Sequence, residues 1–515
     1  MKKLMILAAL AVPLIGIAEN VVQPVYKKNV YALRISPNGK YIASKTDTGG
    51  VYDVATGEMT TFDNTYIGLG NSIANNGTAV GDGEYGAVIM VNGEASVPES
   101  FEAYSYTQFN GITPDATRIV GLVSNPDRNG LFYVPFVADV NAAGEVSEPI
   151  LLPYPDKDFF NIPPQYVAAV WISEDGKTIA GFVVDNRGWY SYPITFQEGA
   201  DGNWSYNLPS KDLFNPEHLE IPIDPMYDEP EYPLPQNFMT GALKDAYMED
   251  YRAWVGGYGP QPYAEDYMTA SQFQQYKEAV DKYNEWYDNS EEAMREYDKI
   301  YERVLATSPT FSGNDLCLSL SGEYLLIHGG VINNLGEMEG KIYEFSCSGG
   351  LLREISTPYS NLYPTQMLSD GTIVAALPMM AVPSTYFLMP GSNEFISVQD
   401  YLAPEYPELV EWIDENFPMG TGLVSVSDDM SVMAGGLVPD QLAYYPDNAD
   451  FYYSTYILAN LETSGIESFV SPEENGVYKV YDLKGSKVLE TTDSSLINGL
   501  SKGVYIINGK KIMLK

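Results

Sequence analysis

Short apolar runs alternate along most of the chain with clusters of Ser, Asn, Asp and Gly, and one pattern recurs. It is an apolar strand, a polar turn, then a second apolar strand ending in small residues. Its copies lie at 32–44, 72–81, 111–121, 171–181, 318–326, 367–375 and 424–435. Most of the turns carry Asn-Gly, Asp-Gly or Pro-Asp, residues suited to the backbone angles of a tight reversal. Each copy therefore predicts an antiparallel hairpin. Further strands follow, as at 50–54 with the turn Ala55-Thr56-Gly57, and at 454–459.

A unit repeated seven times marks a repeat architecture, whereas a sandwich needs no fixed period. The hairpins fit the two inner strands of a propeller blade, with small residues near the crowded centre. In these segments the chain resembles the large β-propeller group, over 19–461. The resemblance implies a mostly β fold, a seven-bladed β-propeller. Residues 21–26 are then left to complete the last blade. A β-sandwich or a stack of hairpins is the competing reading.

Between the fourth and fifth copies the spacing is far too long, which places an insertion at 209–309. Twelve of the 41 Tyr lie within 227–301. Up to Asn237 the insertion is Pro-rich and extended. Over 239–255, Leu243, Tyr247, Tyr251 and Trp254 keep helical spacing. Over 269–306, Phe273, Val280, Tyr287, Met294 and Tyr301 fall in heptads, with Tyr276, Tyr283, Tyr297 and Val304 between them. That period predicts a helix packed along its length on a partner, the preceding helix running antiparallel. Asn289 with Glu292 is a capping pair able to divide the long helix in two. A shorter helix is expected at 407–416. Between the long helical stretches, just after Trp254, a Gly- and Pro-rich loop carries Tyr258, Tyr263 and Tyr267. Rings on such a loop either stack on a sugar or fill a partner's pocket, or they cover the end of the helix pair.

The two ends read as addresses. Lys2 and Lys3 precede an apolar run from Leu4 to Ile17, and Gly16-Ile17-Ala18 precede Glu19. This is the pattern of a secretory signal peptide over 1–18, cleaved between Ala18 and Glu19. The alternative is an N-terminal membrane anchor, for which the run is short, and no transmembrane segment is expected later in the chain. Residues 465–515 hold seven Lys and six Asp+Glu, against an acidic chain upstream. Strand-like stretches alternate there with Gly-containing turns, Asn508-Gly509 being the strongest hairpin signal. This predicts a small β-sandwich-like module.

Tyr481-Asp482-Leu483-Lys484-Gly485, then Leu500-Ser501-Lys502-Gly503-Val504-Tyr505-Ile506, then a last strand ending in Lys515 resemble the C-terminal sorting domain of type IX secretion cargo. Tyr481, Asp482, Gly485, Gly503, Tyr505 and Gly509 carry the resemblance. It implies a Bacteroidetes-type exporter as partner and a cell-surface or extracellular location, periplasmic where the module does not function. An ordinary β appendage is the alternative. The expected domains are thus a signal peptide at 1–18, a propeller at 19–464 interrupted at 209–309, and a sorting-like domain at 465–515.

Composition narrows the chemistry. There are 29 Lys+Arg against 69 Asp+Glu, a net charge of −40, which cleavage of the signal peptide deepens to −42. Such a chain lacks the basic stripe that nucleic acid requires. His218 and His328 stand far apart and support no metal site. The run from Asn125 to Gly130 starts like a calcium loop, but Phe136 occupies the place of the bidentate Glu. Cys317 and Cys347 fall on strands with another between them, roughly 9–10 Å apart, and are expected to be reduced and packed. No Gly-x-Ser-x-Gly elbow or phosphate-cradling loop occurs, and no cofactor or catalytic residue is assigned. The expectation is an exported, non-enzymatic propeller that binds a glycan, peptide or surface partner through Trp254, Tyr258, Tyr263 and Tyr267. The alternatives are a polysaccharide hydrolase or lyase using funnel carboxylates, and a scaffold subunit of a surface complex.

Overall fold

The computed structural model describes residues 25–28, 31–45, 49–63, 65–84, 86–125, 131–227, 229–332, 338–377, 385–416, 425–436, 454–459, 461, 478–482, 487–491, 496, 503–507 and 510–514. The fold is mostly β and of propeller type: antiparallel meanders follow one another, and their first strands converge on a common axis.

β1 (Val25–Lys28) precedes the first meander, β2 (Tyr31–Ile35), β3 (Tyr41–Lys45), β4 (Gly49–Asp53) and β5 (Met59–Phe62). The second is β6 (Thr65–Ile67), β7 (Ala79–Gly83), β8 (Gly86–Val91) and β9 (Glu94–Ser96). The third is β10 (Thr107–Ile112), β11 (Arg118–Ser124), β12 (Tyr133–Asp139) and β13 (Ile150–Leu151). Next come β14 (Tyr166–Ile172), β15 (Thr178–Val184), β16 (Ser191–Glu198) and β17 (Trp204–Asn207). After the insertion follow β18 (Thr310–Leu318), β19 (Tyr324–Ile332), β20 (Met338–Ser346) and β21 (Leu351–Ser356). A pairing of Ser191 with Phe311 joins these two meanders into one eight-stranded sheet. Then come β22 (Tyr363–Met367), β23 (Ile373–Ala376), β24 (Thr385–Leu388) and β25 (Phe395–Ser397). The last sheet of this series has β26 (Ser425–Val426), β27 (Val432–Gly436) and β28 (Ser454–Ala459), and β1 completes it in the order β1-β28-β27-β26.

The clasp runs from Val25↔Ile457 to Lys28↔Ser454. The completing strand thus ends two residues later than the expected 21–26, of which only 25 and 26 are described. First and last sheets are also joined by bonds from Ala32 N to Thr455 Oγ1 (2.8 Å), from Ile35 N to Ser425 Oγ (2.9 Å) and from Asp428 N to Pro37 O (2.9 Å).

Every copy of the sequence pattern supplies the first reversal of its meander, at 72–81 through an isolated bridge of Ile73 with Ala79, and the turn chemistry explains the repeat. In Ser36–Tyr41, Ser173–Thr178 and Ser427–Val432 the opening hydroxyl accepts the N–H five residues on at 3.0 Å. The same hydroxyl donates to Asn38, Asp175 or Asp429. A four-residue reversal leaves these polar groups unpaired unless side chains meet them. The small residues of the second strand have a different cause from central crowding. The first strand bulges between Phe109 and Gly111 and between Ala169 and Trp171. A Cβ on the facing Gly121 or Gly181 would come within 1.9 Å or 1.8 Å of a carbonyl of that bulged strand.

The insertion contains α1 (Gly241–Val255) and α2 (Ala270–Thr307). A capping box of Thr269 and Gln272 starts α2. The helix then runs unbroken through Asn289 and Glu292, so these do not divide it. Ser290 Oγ donates to Trp286 O, and the last buried residues, Tyr297, Tyr301 and Val304, draw the helix to its end. Nor is α1 the partner of the heptad stripe. The Pro-rich segment covers it instead: Phe238 packs on Tyr276 (5.5 Å) and Tyr232 on Tyr283 (4.9 Å), whose hydroxyl donates to Glu229. Pro-rich extended chain brings its own rings to the groove, so no second helix is needed. After β25 come α3 (Val398–Leu402) and α4 (Pro407–Asn416), whose Leu409 and Ile413 enter the core beside β24. Finally β29 (Tyr478–Asp482), β30 (Lys487–Thr491), β31 (Gly503–Ile507) and β32 (Lys510–Leu514) form one antiparallel sheet in the order β30-β29-β31-β32.

Candidate functional site

Polar side chains of the first strands and of the bend after β6 bond across the axis. Arg34 lies over the Trp171 ring at 5.4 Å and donates to the carbonyls of Gly70 (3.1 Å) and Leu69 (3.2 Å). Asn71 donates to Ile112 O and Ile172 O, both at 2.9 Å, and accepts Ile172 N. Gln366 pairs with the backbone of Val426 in both directions. These bonds stitch sheets together. Among the described residues, a cavity of about 50 Å³ lies beside them, bordered by Arg34, Trp171, Leu318 and Gln366. Its volume suits a few waters and is too small for a sugar ring.

The insertion leaves β17 and re-enters at the start of β18, so it stands on the face where the first strands begin. Two carboxylates lie on this same face. Asp82, near the end of β7, is pushed up to about 6, mainly by burial, with bonds from Phe109 and Gln108 opposing. Asp315, in the bulge of β18, is also raised by burial, with a bond from Ser312 and then His328 opposing. His328 itself bonds Ser360 O at 3.0 Å.

At the root of the insertion, α2 locks onto the β15–β16 turn. Arg187 Nε meets Asp224 Oδ2 at 2.7 Å and Nη1 meets Asp298 Oδ1 at 2.8 Å. Its guanidinium also faces the rings of Tyr297 (4.6 Å) and Tyr301 (5.1 Å). Tyr301 donates to Asp185 Oδ2 at 2.7 Å, and Asp185 Oδ1 accepts from Trp189 N and Tyr190 N. Beside it Asp158 accepts from Phe160, Ile162 and Asn186, yet burial, with the nearby Asp185, pushes it up to about 6. A buried charge persists only when so paired and bonded. The arm is therefore fixed at its base. Tyr297 and Tyr301 were marked in the sequence only as part of the heptad stripe. The charged residues were not singled out, because Arg187 lies 37 and 111 residues from Asp224 and Asp298, and Asp185 lies 116 from Tyr301.

At the far end, Gly256 caps α1, and the chain folds back through Gly257 (φ 76°), with Tyr258 N donating to Ala253 O at 2.8 Å. Tyr258 is 91% exposed and Tyr263 69%. Trp254 is partly exposed and packs on Tyr251 at 5.6 Å. Tyr267 differs: it packs edge-on against Tyr247 and its hydroxyl donates to Asp250. Of the four residues expected to bind, Tyr267 thus serves the loop itself, while Trp254, Tyr258 and Tyr263 face outward.

In the C-terminal sheet Asp482 pairs with Tyr505 and Tyr481 with Ile506, while Gly503 faces Leu514 on the next strand. Gly485, Gly509, Ala18 and Glu19 lie outside the described residues, as do residues 126–130 of the calcium-like turn. His218 is exposed, and Cys317 and Cys347 are free and buried. Among the described residues no three His, Cys, Asp or Glu side chains gather as metal ligands, and no helix is long and apolar enough to cross a membrane.

No protein-family model matches the sequence, and no curated protein matches it either. Among solved structures, the chain is similar to the putative TolB of Agrobacterium tumefaciens, at 10% identity over 72% of this chain and 80% of that one, with a TM-score of 0.30. It is similar to the β-propeller domain of the Trilobed protease of Pyrococcus furiosus at 8% identity, 79% of each chain and a TM-score of 0.29. The periplasmic gluconolactonase of Pseudomonas aeruginosa is similar at 9% identity over 73% of this chain and 82% of that one, with a TM-score of 0.27. At these values the likeness carries no conclusion about activity, and the propeller-type fold stands on the strand order itself.

Proposed function

We propose that this chain is an exported, seven-bladed propeller that captures a glycan, a peptide or a surface partner on its arm and performs no catalysis. The observation that carries this reading is the contrast between the two ends of the arm. Its root is held by buried, bonded charges, while Tyr258 and Tyr263 stand 91% and 69% exposed on a hydrogen-bonded turn. Rings presented on ordered backbone lose little entropy on binding. The signal peptide at 1–18 and the sorting-like module at 465–515, sandwich-like in its sequence pattern, would take the protein to the cell surface through a type IX exporter. The domain limits 19–464 and 209–309 belong to the same proposal, as does the scaffold alternative.

The side chains of Arg34, Asn71 and Gln366, bonded across the axis, favour a binder. A hydrolase reading is supported only by Asp82 and Asp315, two raised carboxylates on the arm's face. Capture of the chain from residue 19 on glycan and peptide arrays tests the proposal. Replacing both Tyr258 and Tyr263 by Ala is expected to abolish capture, with the thermal midpoint kept within about 3 °C, since exposed rings contribute little to stability. Capture unchanged by the double substitution rejects the arm as the binding surface.

A further inference from the structure

The tip has a chemistry more specific than ring exposure. Within 241–267 there are five carboxylates, Asp245, Glu249, Asp250, Glu265 and Asp266, against Lys244 and Arg252. Over the whole insertion, 209–309, there are 21 acidic and eight basic residues. The cations nearest the root are used locally: Arg295 pairs with Glu291, Lys299 with Glu296 and Arg303 with Glu217. Among the described residues none of the five tip carboxylates is in an ion pair. Asp250 accepts the Tyr267 hydroxyl, and all five are exposed. Among the described residues Tyr258 and Tyr263 pack on no other ring, and both rings are largely exposed.

We propose that the arm tip docks a cationic peptide segment, its Lys or Arg side chains lying on the Tyr258 and Tyr263 rings and facing the tip carboxylates. This rests on the reading of the arm as the binding surface and selects one partner class from it. A cation over an exposed ring gains roughly 0.5–1 kcal/mol, and a net negative surround adds long-range attraction. A neutral sugar would use the rings and gain nothing from the charge. An acidic partner would be repelled.

The full chain from residue 19 is titrated with a lysine–glycine dodecapeptide, a glutamate–glycine dodecapeptide and neutral gluco-oligosaccharides, each at about 50 and about 300 mM salt. The expected result is binding of the lysine peptide alone, weakened several-fold by the higher salt. It should weaken about tenfold with Tyr258→Ala and Tyr263→Ala together, the loss of two such contacts. Glu265→Gln with Asp266→Asn should weaken it while leaving the rings and the thermal midpoint in place. Oligosaccharide binding that depends on the rings and ignores salt overturns the cationic partner and leaves the arm as binding surface. Lysine-peptide binding that the ring variant does not change, or no binding of that peptide, overturns the inference. Loss of the array capture described above is the separate failure of the broader reading.

Discussion

At the scale of single residues, the seven first-hairpin turns share one backbone requirement. The residue three after the start of each turn has positive φ: Gly39, Gly77, Gly176, Gly322 and Gly371, but also Ala116 (61°) and Met430 (58°). A side chain in this region costs roughly 1–2 kcal/mol, of which Gly returns about 0.5–1 through its freer unfolded chain. Ala116 contributes only a methyl group, so Ala116→Gly is expected to stabilise the protein by about 0.5 kcal/mol, measured by chemical denaturation. Met430 is different, because it is 5% exposed in the core beside Tyr456 and Leu458. This is also where sequence was most legible. The Ser–x–Asp and Asn-Gly signals act within six residues, so their meaning does not depend on distant partners. Where Ala or Met replaced Gly, the flanking hydroxyl and carboxylate still marked the turn. The bulges opposite Gly121 and Gly181 left no such signal, since a bulge is a relation between two strands.

At the scale of elements, the insertion divides into what local sequence determines and what packing determines. The span of α2 was legible from its heptads over 269–306, and α4 occupies the expected span, because periodicity is local. The capping pair expected at Asn289 and Glu292 was not used, and the Thr269–Gln272 box was not foreseen. The partner of the stripe was not. A 3.5 period states that one face is covered, and extended chain with Tyr232 and Phe238 covers it as well as a helix does. The root was illegible for a related reason: Asp158, Asp185, Arg187, Asp224 and Asp298 become a network only when three segments meet. That network predicts a pH dependence. Asp158 is raised to about 6 in the folded chain, from an unfolded value near 3.8. Protonation therefore favours the folded state. The associated stability is fully present below about pH 4 and is lost as pH rises through about 6. The change amounts to roughly 3 kcal/mol from the two values. Asp82, shifted alike, acts in the same direction. Unfolding midpoints between pH 5 and pH 7.5 should accordingly fall as pH rises, and Asp158→Asn should flatten that slope. An unchanged slope in the variant would show that the root carboxylate stays ionised throughout.

At the scale of the whole molecule, the chain must bring its two ends together before the last sheet is complete. β28 has β27 on one side and β1 on the other, so β1 converts an open edge into an interior strand. Edges of this kind invite pairing with other chains. The sequence showed that a strand was missing from the last sheet and where to look for it. The register was not readable, because 21–28 alternates weakly and only the partner's pattern fixes the pairing. The clasp is reinforced, since Ala32, Ile35 and Asp428 bond across the same junction. Loss of β1 should therefore open the outer edge without dispersing the ring. A chain beginning at residue 31 loses a four-residue ladder, at about 1 kcal/mol per net hydrogen bond. For a domain of this size that corresponds to a fall in thermal midpoint of roughly 5 °C, together with concentration-dependent association through the bared edge of β28. A chain ending at residue 464 is the matched control. It removes the Lys-rich sheet of β29–β32, whose strands, among the described residues, pair with one another, and should keep the midpoint of the remainder. Equal midpoints for the shortened N-terminus and the intact chain would show that the cross-junction bonds of Ala32, Ile35 and Asp428 close the ring without β1.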